Sequence, residues 1–163
     1  MLTMQQNGSS TLDIIAFRLR GQEFCVETTK VREIRGWVAC TPIPKAPADV
    51  LGVINLRGEV VPIVDLARRL GMSPTAESER SAIIVAEVGP TIVGLLVDNV
   101  SDILTVSEHS IQPVPQMATQ IAYRFAEGMI THEGGMICLL NLARLLEQGD
   151  HEATELHDAA EAA

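Results

Sequence analysis

Gly52-Val-Ile-Asn-Leu-Arg-Gly-Glu-Val-Val-Pro-Ile-Val-Asp65 decides how the rest of the chain is read. Its apolar residues come in short runs broken by Asn-Leu-Arg-Gly, and a glycine tolerates the positive φ of a tight turn. The pattern predicts a hairpin, with Gly52 and Gly58 as its turn glycines and the charged residues Arg57 and Glu59 near its tip. Pro62 cannot donate to a ladder, so the second strand is expected at an edge or at a bulge. Asp65-Leu-Ala-Arg-Arg-Leu-Gly71 then reads as a two-turn helix, capped by Asp65 and ended by Gly71.

Working outward, the same grammar recurs. Leu12 to Arg20 alternates like a strand, Gly21-Gln22 turns, and Glu23 to Val26 returns. Thr28 to Ile34 fits a short helix or a strand equally well. Thr41-Pro-Ile-Pro-Lys-Ala-Pro47 is an extended connector. Ser81–Val88 and Thr91–Val97 flank the turn Gly89-Pro90. Residues 128–140 form another strand pair, and a terminal helix over 141–148 is ended by Gly149.

These pieces repeat. Gly52, Gly58, Asp65, Leu66, Ala67, Arg68 and Leu70 correspond at one constant offset to Gly128, Gly134, Asn141, Leu142, Ala143, Arg144 and Leu146. The Gly21 hairpin with Val31, Glu33 and Ile34 echoes the Gly89 hairpin with Val100, Asp102 and Ile103, after a slip of about one residue. Each half reads as hairpin, connector, hairpin, short helix. Two small β-barrels packed together follow, because closure removes exposed edges; a single larger sandwich is the alternative. The expected domain spans 12–147, with subdomains over 12–72 and 81–140 and flexible tails over 1–11 and 149–163.

Composition narrows the function. The net charge is -9, opposite in sign to the footprint of phosphate binding, which argues against nucleic acid. Aromatic residues make up only 3% of the chain, so the core must be built from Val, Ile, Leu and Ala, a bias toward sheet. Cys25, Cys40 and Cys138 are widely spaced with no CxxC, and read as free thiols rather than metal ligands. No apolar run is long enough to span a membrane, and the N-terminus lacks the pattern of a signal peptide. A cytoplasmic protein is expected.

The residues assemble no chemistry. The four histidines show no HxH or HxxxH spacing, and there is no phosphate cradle and no nucleophile elbow. No catalytic, cofactor-binding or metal-binding residue is assigned, and the reading is a binding or scaffold module. Arg57 remains: either a solvated charge at a hairpin tip, or an interaction residue able to hold a carboxylate bidentately. The repeat puts His132 and Glu133 where Leu56 and Arg57 stand, so an arginine is not needed to close such a turn. The competing class is a small hydrolase using one of the acidic residues.

At Lys30-Val-Arg-Glu-Ile-Arg-Gly36, Gly52–Gly58, Val61-Pro-Ile-Val-Asp-Leu66 and Val97-Asp-Asn-Val-Ser-Asp-Ile103 the chain resembles the CheW-like coupling proteins of bacterial chemotaxis, over residues 12–147 and in family order. The resemblance implies two five-stranded SH3-like β-barrels around a shared hydrophobic core. It implies no enzyme activity and no cofactor. It implies an adaptor that bridges the cytoplasmic tips of chemoreceptors to the histidine kinase CheA, recruited to membrane-associated arrays without inserting in the membrane. By motif, Val31, Glu33, Ile34 and Arg57 carry over as receptor- or kinase-coupling positions, with Gly52 and Gly58 in the same motifs. Thr28 and Thr29 depart from the family, where aliphatic residues are common, and imply a more polar receptor groove. The same adaptor in a pilus or surface-sensing array is the alternative system.

Overall fold

The computed structural model describes residues 10–115 and 124–146. In chain order it contains β1 (Thr11–Leu19), β2 (Gln22–Glu27), β3 (Val31–Gly36), β4 (Val50–Leu56), β5 (Glu59–Asp65), α1 (Leu66–Arg69), β6 (Ala82–Val88), β7 (Thr91–Val97), β8 (Asn99–Ser107), β9 (Ile111–Gln112), β10 (Ala126–His132) and β11 (Gly135–Leu140). A helical turn over 142–146, α2, ends the described chain. The segment undecided between helix and strand is both: a 3-10 turn over Thr28–Lys30 feeds β3. The expected tails and the end of the terminal helix lie outside the described residues, apart from Ser10 and Thr11.

Three hairpins turn by one device. Arg20 and Gly21, Arg57 and Gly58, and Glu133 and Gly134 all have positive φ. Two successive residues of positive φ give a tight turn whose twist matches the flanking strands. Gly52 does not share in this. It lies inside β4 at a bulge, where the register with β5 shifts between Val50 and Gly52. A Cβ there would run into the carbonyl of Thr41, which bridges to Val53. Gly128 sits at the matching bulge of β10, against Ile111 and Gln112. Both glycines admit a neighbouring backbone rather than make a turn.

The strands form a mainly β fold of two sheets, with order β3-β6-β7-β5-β4 in one and β8-β1-β2-β11-β10-β9 in the other. Neither sheet corresponds to 12–72 or to 81–140. Each half lends its first hairpin to the sheet that holds its partner's remaining strands. The halves meet at antiparallel pairings, β1 with β8 and β3 with β6, and at the only parallel pairings among the described residues, β2 with β11 and β5 with β7. The repeat is closer than expected: Leu19 opposes Gln22 and Val88 opposes Thr91 at the two first tips, so the slip of one residue disappears. Even the bulges match, with Arg32 extra in β3 and Ser101 extra in β8.

One apolar cluster lies between the sheets and draws on both halves, with Phe17, Phe24, Leu66, Ile84, Leu95, Leu140 and Leu145 among its members. The other face of each sheet wraps a smaller cluster, around Ile63 and Ile83 in one and around Ile14 and Leu139 in the other. Burying one such Leu, Ile or Phe stabilises by about 1.5–3 kcal/mol. The central layer therefore carries the fold and leaves the hairpin tips free to vary.

Two local expectations fail for physical reasons. β5 is an inner strand, between β4 and β7; Pro62 is tolerated because the pairing with β7 begins only at Ile63. α1 is a single turn, and Asp65 does not cap it. Its carboxylate is 1% exposed and accepts instead from the backbone N–H and the hydroxyl of Thr75, both at 3.0 Å. Asp65 thus pins the link between the halves. Its counterpart Asn141 does cap, accepting from the N–H of Arg144 at 3.0 Å.

Candidate functional site

The β4–β5 tip and β3 meet although they belong to opposite ends of one sheet. An Arg57 Nη2–H donates to Glu33 Oε1 at 2.8 Å. Beside it, Arg32 Nη1 lies 3.0 Å from Glu59 Oε1, and Arg32 Nε lies 3.8 Å from Glu87 Oε2. Arg57 and Glu59 thus pair across to β3, not with each other. The reciprocal bridge between Thr41 and Val53, with both N–H···O contacts at 2.9 Å, brings the chain after β3 against β4. The sheet curls until its two ends are joined by these contacts.

Backbone geometry sets out each side chain. Asn55 Oδ1 accepts from the Gly58 N–H at 2.8 Å and fixes the turn, leaving Arg57 at its apex. The Arg57 side chain is 71% exposed, and that of Glu33 25%. Glu33 therefore holds one edge of the guanidinium while its other N–H groups face solvent. Such a fork can take a second carboxylate bidentately. Val31 is half-buried at the start of β3 and packs on the central cluster. Ile34 is exposed, and so is its counterpart Ile103 in the second half. Of the expected positions, Glu33 and Arg57 are in contact, Val31 supports the strand from below, Ile34 points outward, Gly58 completes the turn and Gly52 serves the bulge.

Arg32, Glu59 and Glu87 were not expected as part of this cluster. The signal was present as a charge order, Arg-Glu on β3 against Arg-Gly-Glu on the tip, but only the curl of the sheet brings them together. The second half lacks this cluster: its counterparts to Glu33 and Arg57 are Asp102, which accepts from its own neighbour Ile103 N–H, and Glu133, which lies 3.8 Å from His132.

Nothing nearby is primed for covalent chemistry. Burial pushes the Cys138 thiol up to about 11, and burial and then Cys138 push Cys25 far above the usual thiol range. Burial, then Glu77, raises Cys40 as well. Thiols held protonated are poor nucleophiles. Among the described residues, no group of three or more His, Cys, Asp or Glu could hold a metal ion, and no helix is long and apolar enough to cross a membrane.

Comparison with known proteins agrees with this picture. The CheW-like domain profile matches residues 13–150. The chain is 55% identical over 141 residues to the chemotaxis protein CheW of Rhizobium meliloti, covering 86% of this chain and 91% of that protein. It is 34% identical to the chemotaxis protein CheW of Klebsiella aerogenes, over 82% and 81% of the two chains. The crystal structure of the scaffolding protein TtCheW from Thermoanaerobacter tengcongensis superposes with a TM-score of 0.74 at 32% identity, covering 79% of this chain and 88% of that one. By the profile match and these relatives, the chain belongs to the CheW-like family of non-enzymatic chemotaxis coupling proteins.

Proposed function

We propose that the protein bridges the cytoplasmic tips of chemoreceptors to the histidine kinase CheA and couples receptor state to kinase activity. The observation that carries this reading is Arg57: exposed at a turn apex, held on one edge by Glu33, and absent from the otherwise matching second tip. Val31, Glu33, Ile34 and Arg57 form the coupling face, with Arg57 offering N–H groups to a partner carboxylate and Ile34 offering apolar contact. The domain over 12–147 acts as one unit, located in the cytoplasm and recruited to receptor arrays. The two sheets have five and six strands rather than five each, because the short β9 adds to the second; they act as two SH3-like barrels around a shared core, a reading supported by the ion pairs and the Thr41–Val53 bridge that link the ends of one sheet.

The test is a reconstituted assay of receptor fragment, CheA and this protein. Arg57→Glu is expected to fold normally and to lose most receptor-dependent kinase stimulation. Full stimulation by the folded variant would overturn the assignment.

A further inference from the structure

The hairpin that presents Arg57 has a second polar feature at its other end. Where the chain enters β4 and leaves β5, the Asp65 N–H donates to the Asp49 carbonyl at 2.7 Å. The Asp49 carboxylate pairs with Arg69 Nε of α1, and Arg69 Nη1 donates to the Leu145 carbonyl of α2 at 3.2 Å. The two side chains are only 7% and 12% exposed, for Arg69 and Asp49. Arg69 thus reaches from α1 to the backbone of α2, across the junction of the halves.

The repeat shows that this polarity is not required by the architecture. Arg68 and Arg144, at matching positions, make the same bond, to the carbonyl of Ala48 at 2.7 Å and of Arg124 at 3.1 Å. Arg69 and Asp49, however, correspond to Leu145 and Phe125, an apolar pair buried in the central cluster. A buried ion pair gains little over well-packed apolar residues of similar volume, so stability alone gives no reason to keep it on one side. Arg69 also touches its own counterpart, so the contact lies where the two halves meet. Asp49 Oδ1 is buried and has no hydrogen-bond partner among the described residues, so the carboxylate is secured through one oxygen.

We propose that Asp49 and Arg69 form a joint that carries displacement of the β4–β5 hairpin to α2 and the second half. A partner pulling on Arg57 tilts the hairpin about its root, and Arg69 then tightens or releases the Leu145 carbonyl. The inference rests on the reading of Arg57 as a partner-binding residue, and it adds the route by which occupancy at that tip reaches the rest of the molecule.

Hydrogen exchange of the full chain, with and without a receptor cytoplasmic fragment, tests it. The fragment is expected to change exchange at the Leu145 and Leu146 amides by about tenfold. Asp49→Phe with Arg69→Leu, the residues of the second half, should bind the fragment equally well but lose that response and the kinase stimulation. In the free protein this variant should exchange the same amides about tenfold faster. Equal rates in the free proteins, or an unchanged response, overturn the joint. Should the double variant not fold, Arg69→Lys keeps the charge beside Asp49 without the planar fork, and a full response from it overturns the joint equally. Normal fragment binding by Arg57→Glu would instead overturn the reading of the tip, while the exchange rates of the free proteins still decide the joint.

Discussion

Glu33 and Arg57 meet at 2.8 Å although their strands stand at opposite ends of the same sheet. The contact fixes the direction of the guanidinium more than it stabilises the fold. An exposed pair of this kind contributes about 0–1 kcal/mol. A double-mutant cycle on Glu33→Gln and Arg57→Gln, read by chemical unfolding, is expected to give a coupling below about 1 kcal/mol. Loss of kinase stimulation in Glu33→Gln would then reflect a misdirected Arg57, and a coupling of several kcal/mol would show the pair to be structural.

Arg57 also sits at a φ of 52°, a conformation that asparagine adopts more readily than arginine. Arg57→Asn is expected to raise stability by about 0.5–1 kcal/mol while lowering receptor coupling. A melting temperature below that of the parent would contradict the account of the turn.

Gly52 and Gly128 make parallel predictions of unequal size. A Cβ at Gly52 meets rigid backbone at Thr41, whereas at Gly128 it first meets the Ile111 side chain, at 2.5 Å from Cγ2, then the Gln112 carbonyl at 3.1 Å. Gly52→Ala should cost about 3 kcal/mol and Gly128→Ala about 1–2 kcal/mol, because a side chain can move aside more cheaply than a paired backbone. Urea unfolding of the two variants gives the order directly.

The buried Asp65 carboxylate holds two donors of Thr75. Asp65→Ala removes both acceptors and leaves the buried Thr75 N–H without a partner, and should destabilise by about 1–3 kcal/mol. Asn141→Asp, at the matching position, should be nearly neutral because Asp caps a helix as well as Asn. Similar losses from both changes would show that the two residues do the same job.

The thiols give a pH signature. Cys138 has a folded-state value of about 11, above the ordinary 9.0. Between those limits it stays protonated when folded and ionises when unfolded, so the native state binds more protons and stability falls as pH rises. The contribution is complete below about pH 9 and is lost progressively as the pH rises toward about 11. Unfolding titrations of Cys138→Ala, compared with the parent across this window, should show a shallower decline. Alkylation at pH 8 should reach the half-buried Cys40 first, and Cys25 and Cys138 only on unfolding.

Local structure was legible where one residue dictates one conformation. Arg57-Gly58 and the alternating runs around it became the hairpin they suggest, and Gly71, at a φ of 82°, follows α1 as expected. The repeat was visible because glycines and aliphatic residues recur in order. What could not be read was which strands pair at long range. The β2–β11 ladder rests on Cys138 opposite Phe24 and Leu139 opposite Cys25, a register without any local signature. The clamp at Arg57 is hidden for the same reason: Glu33 and Arg57 stand in separate motifs, and their contact exists only once the sheet curls. Asp65 misled because a carboxylate before a helix is an ordinary cap, and only the folded link shows Thr75 competing for it.

The loan of hairpins between halves has a consequence for how such a molecule comes into being. A chain ending after α1 would hold three strands of one sheet and two of the other, without the strands β6–β11 that complete both. Two copies of that fragment could complete each other by exchanging first hairpins, as an intertwined dimer whose formation depends on concentration. The segment from Gly71 to Ser81 makes that encounter internal. What would be a bimolecular assembly becomes a unimolecular folding step, and the two ends of the particle, freed from identity, can carry different residues for different partners.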